Sequence, residues 1–432
     1  MMPRWAEFIL AVFLASLALS AQEPSTQSPK ERARAVKALA RQGADAIPKL
    51  TPFLSDPDLD VRVETVKAIV DIDTQYSLDP LIRAAKDNDP EIQIRATDGL
   101  VNFYLPGYVR TGLASSVRRA GGRVTSRFTE TNDQVIDPFV QVRPEIIEAL
   151  GRLCRGGASM ESRANAARAI GILRGRAAIP DLLEAAHSKD SRLIYECVIA
   201  FQKIRDASAG PQISFLIRDL DEKVQVAAAE AAGLLFNKEA LPDLRGVLER
   251  TENKRVRRAA LTSIAMLPDP ANRNLLLPYL RDKDAGLRAA AAEGLGRLKD
   301  PADLPALQES FNEERDNSAR VSIAFALVMH GRLELSEFSP LQYLVNTLNS
   351  AVRAGQSRPL LIEAARDADV RRALYPALRQ GTKSERIGLA LVMGWSGDRD
   401  SVPHLEPLTR DPDVQVASEA MRALRTLNAR LQ

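Results

Sequence analysis

The sequence predicts an all-α fold, a right-handed superhelical solenoid of about ten stacked helix pairs. Three observations predict it. A unit of about 31 residues recurs, marked by Pro180, Pro211, Pro242, Asn274 and Pro305 at spacings of 31, 31, 32 and 31 residues. Within a unit the apolar residues recur at helical spacing, as in Leu244, Val247 and Leu248. The composition suits thin helix pairs: 45% of the 432 residues are apolar, enough for a core, but only 5% are aromatic. At about 100–200 residues per domain the length alone would suggest two to four domains. The 31-residue period replaces that count with a count of repeat units.

Taken in chain order, residues 1–21 read as a cleaved secretory signal peptide. Arg4 gives a weakly positive start, Phe8 to Leu19 is a 12-residue apolar run, and Ala18-Leu19-Ser20-Ala21 supplies small residues for cleavage after Ala21. The run is short for a membrane anchor, and no later stretch approaches the roughly 18 apolar residues that a span requires. None of the 13 Asn residues lies in an Asn-x-Ser/Thr site. The chain is therefore expected in the periplasm or outside a bacterial cell. Cys154 and Cys197 are too few for a disulfide framework or a cysteine metal cluster. They are open to pairing in an oxidising compartment or to service as small core residues.

Residues 22–106 hold a polar mature terminus, a charged cap helix over 30–41, and units at about 44–73 and 77–105. Each unit opens with Pro in a first helical turn, where a missing N–H costs no hydrogen bond. Ala46-Ile47-Pro48-Lys49-Leu50, Ala240-Leu241-Pro242-Asp243-Leu244 and Ser401-Val402-Pro403-His404-Leu405 show the pattern. An Asp-rich link follows, as at Asp56-Pro57-Asp58, Asp219-Leu220-Asp221 and Asp282-Lys283-Asp284. Such acids favour turns and cap the next helix. The second helix opens with Val or Leu and usually Arg, then runs into alanines, as in Leu287-Arg288 to Ala292. Residues 143–432 continue these units to the C-terminus, with 338–367 the most divergent.

This helix–turn–helix unit resembles the HEAT repeat, in the short variety called PBS-lyase-like HEAT-like repeats. The Pro48, Pro180, Pro242, Pro305 and Pro403 series carries the resemblance, with Asp58-Leu59-Asp60-Val61-Arg62. It covers about 350 residues. The resemblance implies the armadillo-like solenoid fold and a protein-binding scaffold, and it serves many roles. Two enzyme families share the repeat. Deoxyhypusine hydroxylase needs His-Glu pairs for its di-iron site, and this chain has no His-Glu dipeptide among its three His residues. Bilin lyases share the repeat, but no residue here specifically supports a bilin site. No nucleophile elbow, phosphate-cradling Gly loop or His-Glu-x-x-His occurs. The chain is expected to be non-catalytic, without cofactor or metal.

Residues 107–142 break the pattern. Gly121-Gly122 would end a helix over 108–120, Arg123 to Phe128 alternates like a strand, and Gln134-Val135-Ile136 would return as a second one. Arg110, Arg118, Arg119, Arg123 and Arg127 have no acid among them. The chain otherwise balances 59 basic residues, 46 of them Arg, against 56 acidic ones, which argues against a specific nucleic-acid binder. The segment is open to two readings: a surface insertion with solvated arginines, or a loop that meets an acidic partner through Arg118, Arg119, Arg123, Arg127 and Phe128. Trp395 is either a contact residue or packed against the adjoining unit. Arg257, Arg288 and Arg320, like Arg62 and Arg95, recur near one position of the second helix. They form either a docking ladder for an acidic partner or a structural ladder to the Asp-rich turns.

The function expected is an exported scaffold for one or more protein partners. The alternatives are a binder of an anionic polymer or membrane surface, and a non-catalytic subunit of an enzyme complex.

Overall fold

The structure, a computed structural model, describes residues 27–109, 134–137 and 140–432. Helices of seven or more residues are numbered α1 to α19. They are α1 (Pro29–Ala40), α2 (Leu59–Ile72), α3 (Leu78–Ala84), α4 (Pro90–Tyr104), α5 (Pro144–Gly156), α6 (Met160–Ile172), α7 (Ile179–Ala185) and α8 (Ser191–Ile204). Then come α9 (Glu222–Leu234), α10 (Leu241–Arg250), α11 (Lys254–Met266), α12 (Ala285–Leu298), α13 (Leu304–Glu313) and α14 (Asn317–Met329). The last are α15 (Pro340–Thr347), α16 (Ala351–Ala364), α17 (Ala368–Gln380), α18 (Lys383–Ser396) and α19 (Val414–Leu431). No strand occurs among the described residues, and the fold is an all-α solenoid.

Several first helices are broken for a sequence reason. Ile47–Leu50, Arg273–Leu276 and Val402–Leu405 are single α-turns that pass into 3-10 turns over Thr51–Ser55, Leu277–Arg281 and Glu406–Arg410. Pro52, Pro278 and Pro407 open those 3-10 turns, because a residue without an N–H cannot extend the α ladder. The Asp-x-Asp links divide their work. The first Asp closes the turn: Asp219 Oδ1 accepts from Asp221 N at 2.8 Å, and Asp282 Oδ1 from Asp284 N at 2.8 Å. The second caps the helix: Asp221 accepts from Lys223 N and Val224 N, and Asp284 from Gly286 N and Leu287 N. A cap of this kind contributes about 1 kcal/mol.

Second helices pack on second helices in one continuous row, from α2 and α4 through α6, α8, α9, α11, α12, α14, α16 and α18 to α19. The alanines and glycines permit it. A Cβ on Gly171 would lie 2.7 Å from Ala200 Cα, and one on Gly296 2.7 Å from Ala326 Cα, so only glycine allows these crossings. The 107–142 stretch does not interrupt the row, because α4 packs directly on α6. Asn165 Nδ2 donates to Asp98 Oδ1 at 3.0 Å across that joint. The expected strand at Gln134-Val135-Ile136 is corrected: these residues are coil, tied by Ile136 N to the Ile172 carbonyl at 3.0 Å, with Ile136 buried. Residues 110–133 lie outside the described residues. The divergent stretch at 338–367 is an ordinary pair, α15 and α16.

The core runs the length of the row, lined by leucine, isoleucine, valine and alanine. Cys154 and Cys197 are buried in it as free thiols. Burial, then the neighbouring Cys154 thiol, pushes the Cys197 thiol well up. One charged pair is also buried. Arg168 of α6 holds Glu196 of α8 through Nε–Oε2 at 3.1 Å and Nη2–Oε1 at 2.5 Å. Burial is the largest influence and works to lower the Arg168 pKa, but the Glu196 charge and hydrogen bond, with Tyr108, together more than offset it.

Candidate functional site

The first turn of the second helix points its Arg at the joint between units. Arg62 donates from Nε to Asp87 Oδ2 at 2.9 Å and from Nη1 to the Asp56 carbonyl at 2.9 Å. Arg288 repeats the arrangement, with Nε and Nη2 on Glu314 at 2.7 and 2.8 Å and Nη1 on the Asp282 carbonyl at 2.8 Å. On the first helix α17, Arg371 likewise pairs with Asp398 and donates to the Ala365 carbonyl at 2.9 Å. Arg32 of α1 grips Asp56 at 2.7 and 2.9 Å. Each fork ties its own unit to the Asp-rich turn of the next, a geometry that a planar guanidinium suits. The Arg32 hydrogen bond holds the Asp56 carboxyl below its ordinary value. For Glu314 burial is the largest single influence and acts upward, but the Arg288 bond and charge together with the backbone N–H groups of Arg315 and Asp316 outweigh it, so the net direction is down.

Arg257 and Arg320 are half-buried in the same joints with different partners. Arg257 Nη2 donates to the Thr251 carbonyl at 2.6 Å. Arg320 lies over the rings of Phe311 and Tyr343, 4.8 and 5.2 Å from their centroids. Arg95 turns back to Glu91 on its own helix. Arg257, Arg288 and Arg320 are thus held by contacts within and between units. Arg118, Arg119, Arg123, Arg127 and Phe128 lie outside the described residues.

Trp395 is brought to a place that the sequence did not suggest. It is half-buried, and the Arg174 guanidinium stands 5.8 Å from its ring centroid. Arg174 belongs to the unit that ends after α6, so the contact joins distant units and not adjoining ones. A second contact closes the same seam: Arg422 Nη2 of α19 donates to both Asp137 carboxylate oxygens, at 2.7 and 2.9 Å. The last units therefore lie alongside the units that follow the 107–142 segment.

Three further arginines gather at this seam. Arg174 and Arg205 follow successive second helices and turn the backbone through the left-handed region, at φ +50° and +60°. Arg205 feels the charges of Arg174 and Arg366, and Arg430 that of Arg366. The surrounding protein lowers the pKa of Arg174, Arg205 and Arg430, with burial the first cause in each. Arg205, Arg366 and Arg430 are nonetheless open to solvent. The sequence held a signal for Arg174 and Arg205, which sit 31 residues apart at one position of the repeat. It held none for Arg366 and Arg430, whose approach depends on how far the solenoid turns.

Among the described residues no group of three or more His, Cys, Asp or Glu side chains could hold a metal ion, and no helix is long and apolar enough to cross a membrane.

The helix-pair stack defines an α-solenoid class of protein. Its repeats identify it further: the HEAT-repeat family matches residues 18–101, 211–276 and 247–328, and the PBS lyase HEAT-like repeat matches 162–188. The chain is a HEAT-repeat protein with PBS-lyase-like repeats. It is similar to phycocyanobilin lyase subunit alpha of Nostoc sp. (strain PCC 7120), with 27% identity over 180 residues, 39% of this chain. The similarity spans 64% of that relative's length. Among solved structures it is similar to the complex of CpcE and CpcF of phycocyanin lyase from Nostoc sp. PCC7120. There the identity is 19%, the coverage 69% of this chain and 92% of that one, and the TM-score 0.32. It is also similar to a mutant of Kap121p, at 13% identity, 94% and 48% coverage and a TM-score of 0.37.

Proposed function

We propose that the protein is an exported, non-catalytic repeat scaffold that holds a protein partner. The observation that carries this reading is the unbroken row of second helices, which returns on itself and presents the Trp395 and arginine seam to solvent. Repeat solenoids offer such extended concave surfaces to partners, and a half-buried Trp beside Arg is the pairing enriched at binding hot spots. Export rests on residues 1–21, with Gln22 as the first residue of the mature chain. An anionic polymer or membrane surface, met through the 107–142 segment, is the reading that it displaces.

The test is to express the full chain with a C-terminal tag in a Gram-negative host related to its source. Cells are then fractionated and the protein recovered under gentle conditions. The expected result is a periplasmic protein starting at Gln22 that brings down a reproducible partner in near-stoichiometric amount. Recovery of the uncleaved chain from the cytoplasm would overturn export, and recovery of monomer alone would overturn the scaffold reading. The similarity to a lyase subunit favours one second reading, membership of an enzyme complex. In that case the co-purified material carries an enzymatic activity that the isolated chain lacks.

A further inference from the structure

We propose that the hollow at the turn between α13 and α14, walled on one side by Arg320, binds an Asp or Glu side chain of a protein partner. The inference rests on the scaffold reading and names one chemistry that the scaffold takes. The hollow has a volume of about 790 Å³ and a polar lining of Asn312, Glu313, Glu314, Arg315, Asn317 and Arg320.

Comparison of the joints shows what is missing there. An Arg stands four residues after a helix cap, and the acid that receives it stands two residues before the next cap. Arg32 follows the Ser28 cap by four residues and meets Asp56, two before the Asp58 cap. In the same register Arg62 meets Asp87, Arg288 meets Glu314, and Arg386 meets Asp411. Arg320 follows the Asp316 cap by four residues, but the residue two before Ser350, the next cap, is the buried Leu348. Arg163 and Arg257 also lack a bonded acid, yet each donates to a carbonyl of its own unit, at 2.9 and 2.6 Å. Arg320 donates to no acceptor among the described residues, and its Nε is buried.

Stacking does not replace the acid. The Arg320 guanidinium lies 4.8 and 5.2 Å from the Phe311 and Tyr343 ring centroids. The rings attract its charge and hold it in place, whereas only an oxygen pair engages its N–H fork fully. The Tyr343 hydroxyl is itself buried without a partner. Buried polar groups in folded proteins are nearly all hydrogen-bonded, so two unpaired ones beside one hollow mark a place for a group from outside.

The acids already at the turn are committed, with one exception. Glu314 is bonded to Arg288 and accepts from the backbone N–H groups of Arg315 and Asp316, and Asp316 caps α14. Glu313 and Arg315 are exposed and carry no ion pair among the described residues. A further cation stands close by. Gln356 of α16 donates to the Ser318 carbonyl at 3.0 Å, and the exposed Arg353 lies three residues before it on the same helix face. Arg315, Arg320 and Arg353 therefore outnumber Glu313, and the vacant role is one that a carboxylate fills in the joints at Arg32, Arg62, Arg288 and Arg386.

The full mature chain is titrated with a labelled octapeptide carrying two Glu residues in a Gly/Ser background, and with its Gln counterpart. The Glu peptide should bind at least about tenfold tighter and weaken as salt is raised. Arg320→Met keeps an apolar stem against the rings and removes the fork. It should reduce binding by about tenfold or more. Its melting temperature should not fall, because no protein acceptor is lost. Arg315→Gln, at an exposed position, should weaken binding by about threefold and serves if Arg320→Met does not fold.

Equal binding of the Glu and Gln peptides, or undiminished binding by Arg320→Met, would overturn the proposal. Inorganic phosphate that displaces the Glu peptide at a lower concentration than acetate does would overturn the choice of a carboxylate. A partner recovered from cells equally well by wild type and by Arg320→Met would remove the hollow as its site and leave the scaffold standing. Peptide binding as expected with no cellular partner would uphold the site and count against the scaffold reading.

Discussion

Arg288 and Arg205 are the same residue on the same solenoid in opposite surroundings. Arg288 spends three donors on Glu314 and the Asp282 carbonyl, in a joint copied along the chain. Arg205 is exposed, feels the charges of Arg174 and Arg366, and has no acid bonded to it among the described residues. The joints at Arg62 and Arg288 pair their guanidinium with an acid of the next unit, whereas Arg205 has no such partner among the described residues. Repetition explains the first, since one Arg and one acidic turn suffice when each unit offers both to the next. The seam joins units that are not neighbours in sequence, so no repeat element supplies it with partners. The difference separates charge that holds the fold together from charge that remains available.

The largest effect expected lies deepest among the paired joints. Arg168 and Glu196 are 7% and 4% exposed and bonded through two donors. Glu196→Ala leaves a buried guanidinium uncompensated and should cost about 3–5 kcal/mol in urea denaturation. Arg168→Met with Glu196→Met should restore much of that loss, because two apolar residues of similar volume bury no charge. A single mutant that unfolds no more easily than wild type would show that the pair is solvated and the joint looser than its geometry.

A joint arginine should cost less and show its sign in pH. Arg288→Ala removes a charged hydrogen-bond pair from the nearly buried Glu314 and is expected to cost about 2 kcal/mol at neutral pH. The carboxyls of Asp56, Asp284 and Glu314 are held below their ordinary values in the folded chain. The Arg32 and Arg258 bonds lead for the two aspartates; for Glu314 burial opposes, and the Arg288 bond and charge with two backbone N–H groups together outweigh it. A depressed carboxyl contributes stability that is present above its unfolded value, about 4, and lost as pH falls through its folded value. Melting temperature should therefore drop below about pH 4. The gap between wild type and Arg288→Ala should narrow over the same window. A gap that is constant from pH 7 to pH 3 would assign the loss to packing of the Arg stem and not to its charge.

How much of this was legible in the sequence follows the same division. The period, the Pro-opened first helices and the Asp-capped second helices were legible because each is a local rule repeated. Asp219 and Asp221 act as turn and cap from their spacing alone. The joint ladder was legible as one of two alternatives, since a recurring Arg beside a recurring acid says that they can meet but not which way the fork turns. Gln134-Val135-Ile136 misled because alternation there reflects one buried isoleucine against a helix end, not a paired strand. The approach of Trp395 to Arg174, and of Arg422 to Asp137, could not be read. It depends on small rotations between units summed over more than two hundred residues, which no local pattern encodes.

The smallest energetic effect is expected at the seam, and it is the most informative about the comparison. Arg422 and Asp137 are bonded bidentately, yet they are 56% and 30% exposed. Exposed ion pairs contribute about 0–1 kcal/mol, so Arg422→Ala should leave the denaturation midpoint almost unchanged. Its consequence should appear in shape. Asp137 directly follows the buried Ile136, and Arg422 lies on the last helix, so this bond closes the turn of the solenoid. Without it the Arg174–Trp395 stack still joins the two sides, and the mutual repulsion of Arg174, Arg205 and Arg366 favours opening the turn. Small-angle scattering should show a larger radius of gyration for Arg422→Ala than for wild type, with the difference reduced at high salt as the arginines are screened. Trp395 emission should shift to the red as Arg174 withdraws. If the variant instead loses as much stability as Arg288→Ala, with no change in shape, the seam is one more paired joint and the distinction between the two regions fails.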